Sequence, residues 1–200
     1  MWSNDIAYIV GLITTDGNLS SDGRHIDFTS KDIELINTFK QCMSLNNKIG
    51  YKQCGYRKIK CPRIQFGNIK FYNWLISIGL STKKSKTLES LRIPKKYMSD
   101  FLRGHIDGDG SVRAYQDKVY KNSERLYTIF NSASLKHLNW IHESISSLYA
   151  LNGKLRSGTR IWQLVYAKKE SILLLNKLYY NKDVPCLKRK RDQVKKYLYN

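Results

Sequence analysis

The sequence predicts an α/β fold of the α+β kind, built from two similar halves that share one core. Two observations predict it. The first is a repeat: Ile9-Val10-Gly11-Leu12-Ile13-Thr14-Thr15-Asp16-Gly17 and Leu102-Arg103-Gly104-His105-Ile106-Asp107-Gly108-Asp109-Gly110. Each segment has an apolar residue two before a Gly, another two after it, a small residue four after it, and a closing Asp-Gly. The closing acids, Asp16 and Asp109, stand 93 positions apart in a chain of 200 residues. The second observation is that the hydrophobic period changes in the same order after each segment: helix, hairpin, helix, hairpin, helix.

In the first half, residues 5–15 are apolar at helical spacing, with Asn4 or Asp5 placed to cap the start and Gly17 to end the helix in a left-handed conformation. Residues 18–30 hold Ser21-Asp22-Gly23 between two extended pieces, which reads as a hairpin. Ile33, Leu35, Ile36, Phe39 and Met43 return to helical spacing. Residues 48–67 form a second hairpin about Gly55, and residues 71–78 a helix stopped by Gly79. Residues 80–99, polar and basic with Pro94, read as a connection. The second half repeats this order: helix 97–107, a hairpin over 111–132 turning near Asn122-Ser123, helix 135–149, a hairpin ending near Ala167, and helix 171–180. A basic segment, Leu187-Lys188-Arg189-Lys190-Arg191, leads into a final helical turn or two. The half-domains are set at 1–93, with the connection from about 80, and 94–200.

The chain carries 35 Lys and Arg against 16 Asp and Glu, a formal net charge of +19. So strong a field favours a polyanion, and nucleic acid is the commonest one. Basic residues are spread along the whole length and no basic amphipathic helix stands out, which argues against a membrane surface. No apolar run is long enough to span a bilayer. The start, Met1-Trp2-Ser3-Asn4-Asp5, shows no secretory pattern, so an intracellular protein is expected. The abundance of Lys, Asn, Ile and Tyr points to an AT-rich genome, without separating phage, bacterial and organellar hosts. The four cysteines form no CxxC pair and His is scarce, so a zinc site is not expected.

Asp16 and Asp109 each close an apolar helix, on the wrong side of its dipole. If the helices pack, the acids also repel each other and raise one another's pKa. A divalent cation offsets both effects, and hard carboxylate oxygens suit Mg²⁺ or Ca²⁺. The pairs Gly11/Thr15 and Gly104/Gly108, each four apart, put small residues on one helix face and allow near backbone approach.

The two segments resemble the LAGLIDADG motif of homing endonucleases and related intron maturases. The second, with Phe101 before it and Ser111-Val112 after it, is the nearer match. The first departs at Thr14, where Asp is common. The resemblance covers the whole chain, since single-chain members carry two such units. It implies two pseudo-symmetric αββαββα halves forming a saddle of antiparallel sheets, with the two motif helices at the centre. It also implies a monomeric, site-specific endonuclease that cuts both strands of a double-stranded DNA at a long target site. By that resemblance Asp16 and Asp109 are catalytic metal ligands, helped by neighbouring backbone carbonyls, with Mg²⁺ the working ion and Ca²⁺ able to bind without supporting cleavage. Lys84 and Lys190 match the basic residue kept after the last helix of each half, with Lys86 and Lys188 as competitors. Ser30 and Ser132 occupy the place of a water-positioning polar residue. Intron RNA is the partner of the rival maturase reading, and a cleavage-inactive DNA-binding regulator is the other rival.

Target reading falls to the hairpins, because a two-stranded ribbon fits the major groove. Ile26, Phe28, Ile64 and Phe66 should face the helices, leaving Arg24, His25, Asp27, Thr29, Arg63 and Gln65 toward DNA. Arg57, Lys58 and Lys60 join them at the hairpin tip. In the second half the candidates are Arg113, Tyr115, Lys118, Arg125, Arg156 and Arg160.

Overall fold

The computed structural model describes residues 1–55, 59–82, 84–121 and 123–199. The elements of the first half are α1 (Asn4–Asp16), β1 (Gly17–Leu19), β2 (His25–Thr29), α2 (Ile33–Cys42), β3 (Gly50–Cys54), β4 (Ile59–Gly67), α3 (Ile69–Ser77) and the short α4 (Lys84–Thr87). After a 3₁₀ turn at Lys95–Tyr97 come α5 (Met98–Asp107), β5 (Ser111–Gln116), β6 (Glu124–Ser132), α6 (Leu135–Tyr149), β7 (Lys154–Ser157), β8 (Trp162–Tyr166), α7 (Lys168–Leu178) and the short α8 (Lys188–Asp192). The strands make two four-stranded antiparallel sheets, ordered β1-β2-β4-β3 and β5-β6-β8-β7. The same connectivity in both halves bears out the repeat.

The ends of α1 differ from expectation. Ser3, not Asn4 or Asp5, is the N-cap, its side chain accepting from the Ile6 N–H. Gly17 is extended (φ −81°, ψ 160°) rather than left-handed, and starts β1. Glycine is needed there for space: a Cβ would lie 2.6 Å from the Ile13 Cα. The stretch expected as plain connection contains α4, which buries Lys84.

The halves meet through α1 and α5, whose backbones touch. A Cβ on Gly11 would lie 2.2 Å from the Phe101 carbonyl oxygen, and one on Gly104 would lie 2.1 Å from that of Tyr8. A Cβ on Gly108 would fall 1.9 Å from Thr15 Oγ1. Both helices are buried along most of their length, and apolar side chains from both sheets close over them in one continuous core. Phe28 stacks on Phe39 in the first half, and Phe101 meets Trp140 edge-on in the second.

Two buried charges on α5 tie down the chain after α7. Arg103, fully enclosed, donates to the carbonyls of Pro185 and Leu178 (2.8 Å each) and to Asp100 Oδ1 (2.6 Å). Its guanidinium also lies over the rings of Tyr8 and Tyr180. Asp107 Oδ2 accepts from the Tyr8 hydroxyl (2.8 Å) and the Leu187 N–H (2.7 Å). Arg103 is matched by three acceptors, as burial requires, whereas Asp107 uses Oδ2 twice and its Oδ1 is buried without a partner.

Gly104→Ala is expected to lower stability by about 3 kcal/mol or more, because a methyl group cannot enter a backbone contact without separating the helices; urea unfolding measures it. A second expectation concerns acid. The rings of His105 and His137 stack with centroids 5.4 Å apart. Burial pushes His137 down to about 4 and His105 well below its usual value. Their folded pKa values lie below the unfolded one, so the unfolded chain binds more protons, and stability is lost as pH falls from about 6.5 toward 4. Chemical unfolding across that window, repeated with His137→Gln, should show the loss and its reduction in the variant.

Candidate active site

Helices α1 and α5 end side by side. Asp16 is the last residue of α1, and Asp109 lies in the turn between α5 and β5. Both line one cleft of about 310 Å³, with Gly108 between them and Ser30 and Arg189 at its sides. A Cβ on Gly108 would stand 3.2 Å from Asp16 Oδ2, so glycine keeps this space open. Asp16 is half-buried and Asp109 exposed at the mouth. Among the described residues, no donor hydrogen-bonds to either carboxylate. Burial, then the charge of Asp109, raises the Asp16 pKa to about 7, against the pull of Lys190 and Lys84. The surrounding protein also raises Asp109.

The two expected lysines do come to this centre, one beneath each helix end. Lys190 Nζ donates to the carbonyls of Ile106 (2.6 Å), Asp107 (2.9 Å) and Gly110 (2.8 Å). Lys84 Nζ donates to the carbonyl of Gly17. These ammoniums fill the places where the helix carbonyls lack partners and where the dipole is negative. Burial lowers both pKa values while the nearby carboxylates raise them. Lys188 is exposed, and the side chain of Lys86 lies outside the described residues. Asp109's own carbonyl accepts from Asn131 Nδ2 (2.7 Å). Several carbonyls near the two acids thus accept from protein donors, each with a second lone pair remaining.

Among the described residues there is no group of three or more His, Cys, Asp or Glu placed to hold a metal. Two carboxylates do face one open cleft without hydrogen-bond donors among the described residues, and burial, then the charge of Asp109, raises the pKa of Asp16 to about 7. That donor set fits a hard divalent cation completed by water or phosphate oxygens.

Ser30 and Ser132 flank this centre. Ser30 directly follows β2 and Ser132 is the last residue of β6, and each Oγ accepts from the N–H two residues on, Asp32 and Ser134 (3.1 Å both). Ser132 lines a neighbouring cleft of about 280 Å³ that Asp109 also reaches.

In the first sheet, Ile26, Phe28, Ile64 and Phe66 are buried on the helix side, and His25, Arg63 and Gln65 share the other face, as expected. Asp27 shares that outer face but is buried. Its Oδ2 meets Arg63 Nη2 at 3.3 Å and Asn18 Nδ2 at 3.4 Å, so it is a fixed partner of Arg63 rather than a free reader. Lys60 pairs with Gln53 and has the parity of Ile64 and Phe66, so it is exposed near the hairpin tip on the face opposite Arg63. Arg24 is exposed in the turn before β2. Arg57 and Lys58 lie outside the described residues.

In the second sheet, Arg113, Tyr115, Arg125 and Arg156 share one face, opposite buried Val112, Leu126 and Leu164. Tyr127, unnoticed in the sequence, joins them with its ring 6.3 Å from that of Tyr115. Arg125 pairs with Asp117. Lys118 and Arg160 are exposed in the loops. Arg189, Lys31 and Asp32 were also missed. Only the fold brings the first of these beside the other two.

No known family's sequence profile matches this chain, and no curated protein sequence matches it. Solved structures do. The homing endonuclease I-WcaI bound to its DNA recognition sequence superposes with a TM-score of 0.68 at 11% identity, over 96% of this chain and 88% of that one. Full-length DUF199/WhiA from Thermatoga maritima gives 0.63 at 15%, over 98% of this chain. I-DmoI in complex with DNA and Ca gives 0.59 at 13%, over 90% and 91%. This chain has the LAGLIDADG fold. It spans 62% of the length of the WhiA protein. At such identities the likeness is one of fold, with the motif helices α1 and α5 at the junction of the halves.

A pH effect follows from the carboxylate pair. The folded pKa of Asp16, about 7, lies above its unfolded value of 3.8. The folded state therefore holds more protons between these values, and metal-free stability falls as pH rises through that window, by up to about 4 kcal/mol. Adding Mg²⁺ or Ca²⁺ at pH 8 should raise Tm, and adding it at pH 5 should do much less, because a cation competes with the proton. Asp16→Asn should raise Tm in EDTA at pH 8 and abolish the cation response.

Proposed function

We propose that this protein is a divalent-metal-dependent endonuclease that hydrolyses both strands of double-stranded DNA at a long site, acting as a monomer inside the cell. The observation that carries the reading is the convergence of Asp16 and Asp109 on one open cleft at the seam of two pseudo-symmetric halves. The charge of +19 and the cationic and aromatic outer faces of both sheets support a duplex as the partner.

The sheets would grip the duplex through Arg63, Gln65 and His25 on one side and Arg113, Tyr115 and Arg156 on the other. That grip sets the backbone of both strands over the carboxylates. A Mg²⁺ ion held by Asp16 and Asp109 would supply an activated water and neutralise charge on the phosphate. Lys84 and Lys190 hold the helix ends that aim the two carboxylates, and their charge lies close enough to favour the ionised form of Asp16. They would also favour the negative charge that develops on the phosphate. Ser30 and Ser132 use an oxygen lone pair on a backbone N–H, which leaves each hydroxyl proton for a water at the rim of its cleft.

A randomised duplex library, incubated with the protein in Mg²⁺ and in parallel in Ca²⁺, tests this. The expected result is cutting in Mg²⁺ with retention without cutting in Ca²⁺. Asp16→Asn and Asp109→Asn should each lower cutting by about 10³-fold or more while affinity changes less than about fivefold. Affinity should drop by about 10³-fold between 50 and 200 mM salt, with one chain per site by sedimentation. Retention without cutting in either ion supports a binding protein that lacks nuclease activity, and selective retention of structured intron RNA supports the maturase reading.

A further inference from the structure

Two clefts open at the carboxylate centre: the one beside Ser30 is lined by both Asp16 and Asp109, and the one beside Ser132 by Asp109 alone. Their frames are related by the repeat. Asp16 and Asp109 stand at equivalent helix ends, Ser30 and Ser132 at equivalent strand ends, and both serines accept from the N–H two residues on at 3.1 Å. The cleft volumes are about 310 and 280 Å³.

The next two residues break the symmetry. After Ser30 come Lys31 and Asp32; after Ser132 come Ala133 and Ser134. Asp32 accepts two hydrogen bonds from Arg189, Nε to Oδ1 at 3.0 Å and Nη2 to Oδ2 at 2.8 Å. That side-on pair fixes the plane of the guanidinium, and among the described residues no acceptor engages its Nη1 edge. The Arg189 side chain remains 55% exposed, and it lines the cleft with exposed Lys31. Arg189 belongs to α8, so the second half of the chain furnishes a cation to the first half's side of the centre.

Among the described residues the other cleft has no counterpart of this pair. Ala133 has no donor, and the Ser134 hydroxyl donates inward to the Leu88 carbonyl (2.5 Å). Leu88 and Ile161 make part of its wall apolar. Lys83, the residue before Lys84, lies outside the described residues. Ser134, not a carboxylate, stands at the position equivalent to Asp32.

We propose that the two strands are cut unequally: Arg189 and Lys31 bind the phosphate that enters the cleft beside Ser30, that strand is cut first, and the second cut proceeds from a nicked duplex. Asp32 is the positioning residue for Arg189. An anion entering this cleft meets a preset fork and a second cation, and charge-assisted hydrogen bonds to phosphate are strong where the donor is already oriented. This inference rests on the endonuclease reading above.

The test uses the full chain and a duplex recovered from the library, end-labelled on either strand, together with a supercoiled plasmid carrying that duplex. The expected result is a nicked circle that accumulates before linear product, with strand rates differing about tenfold or more. Arg189→Gln should slow the fast strand by about tenfold or more and leave the slow strand within about twofold. Asp32→Asn should do the same more weakly, and Ala133→Lys should speed the slow strand. A general loss of folding would slow both strands together, so the ratio of rates is the readout. Equal rates in the native protein, or an Arg189→Gln variant that slows both strands alike, overturns the inference and leaves the endonuclease reading standing. A duplex that is bound and cut on neither strand overturns both.

Discussion

Everything in this molecule depends on a backbone contact. Where α1 crosses α5, Gly11 and Gly104 leave no room for even a methyl group, since an added Cβ would come within about 2.2 Å of a carbonyl oxygen on the partner helix. Close packing of this kind positions groups better than side-chain interdigitation does, because no rotamer can absorb a displacement. The helix ends are fixed together, and with them the two carboxylates. Gly108 carries the same constraint to the end of the seam, where its missing side chain becomes the open space beside Asp16.

That placement is electrostatically unfavourable on its own. Two acids at the negative ends of two helices, partly out of water, push the pKa of Asp16 up to about 7. The chain offsets part of this from behind, with one buried lysine beneath each helix end. It leaves the front of the pair without a donor among the described residues. Asp107, two residues before Asp109, instead engages its Oδ2 with the Tyr8 hydroxyl and the Leu187 N–H, while Asp109 opens onto the cleft.

The outer surfaces show how a repeat can be used unequally. The first sheet presents an Arg63–Asp27 pair with Gln65, and the second presents Tyr115 beside Tyr127 with several arginines. An asymmetric duplex offers different base edges to the two halves, so divergent faces on a shared frame are what a long, non-palindromic target would select. The same divergence reaches the clefts, where Lys31, Asp32 and Arg189 oppose Ala133 and Ser134.

The sequence by itself determined the helix and hairpin order, the half-domain repeat, the inward faces of β2 and β4, and the two acids. These follow from local periodicity and from spacing, which need no knowledge of what lies across the fold. Tertiary structure decided the rest. Asp27 looks like an outward reader by alternation, yet Arg63 from β4 claims it. Gly17 looks like a left-handed cap, yet contact with Ile13 is what requires glycine. Arg103 and Arg189 read as ordinary basic residues, and only chain return from 75 or more positions away makes one a buried strap and the other a fixed fork beside Asp32. Long-range partners set burial and pairing, and burial and pairing decide what a charged side chain can do.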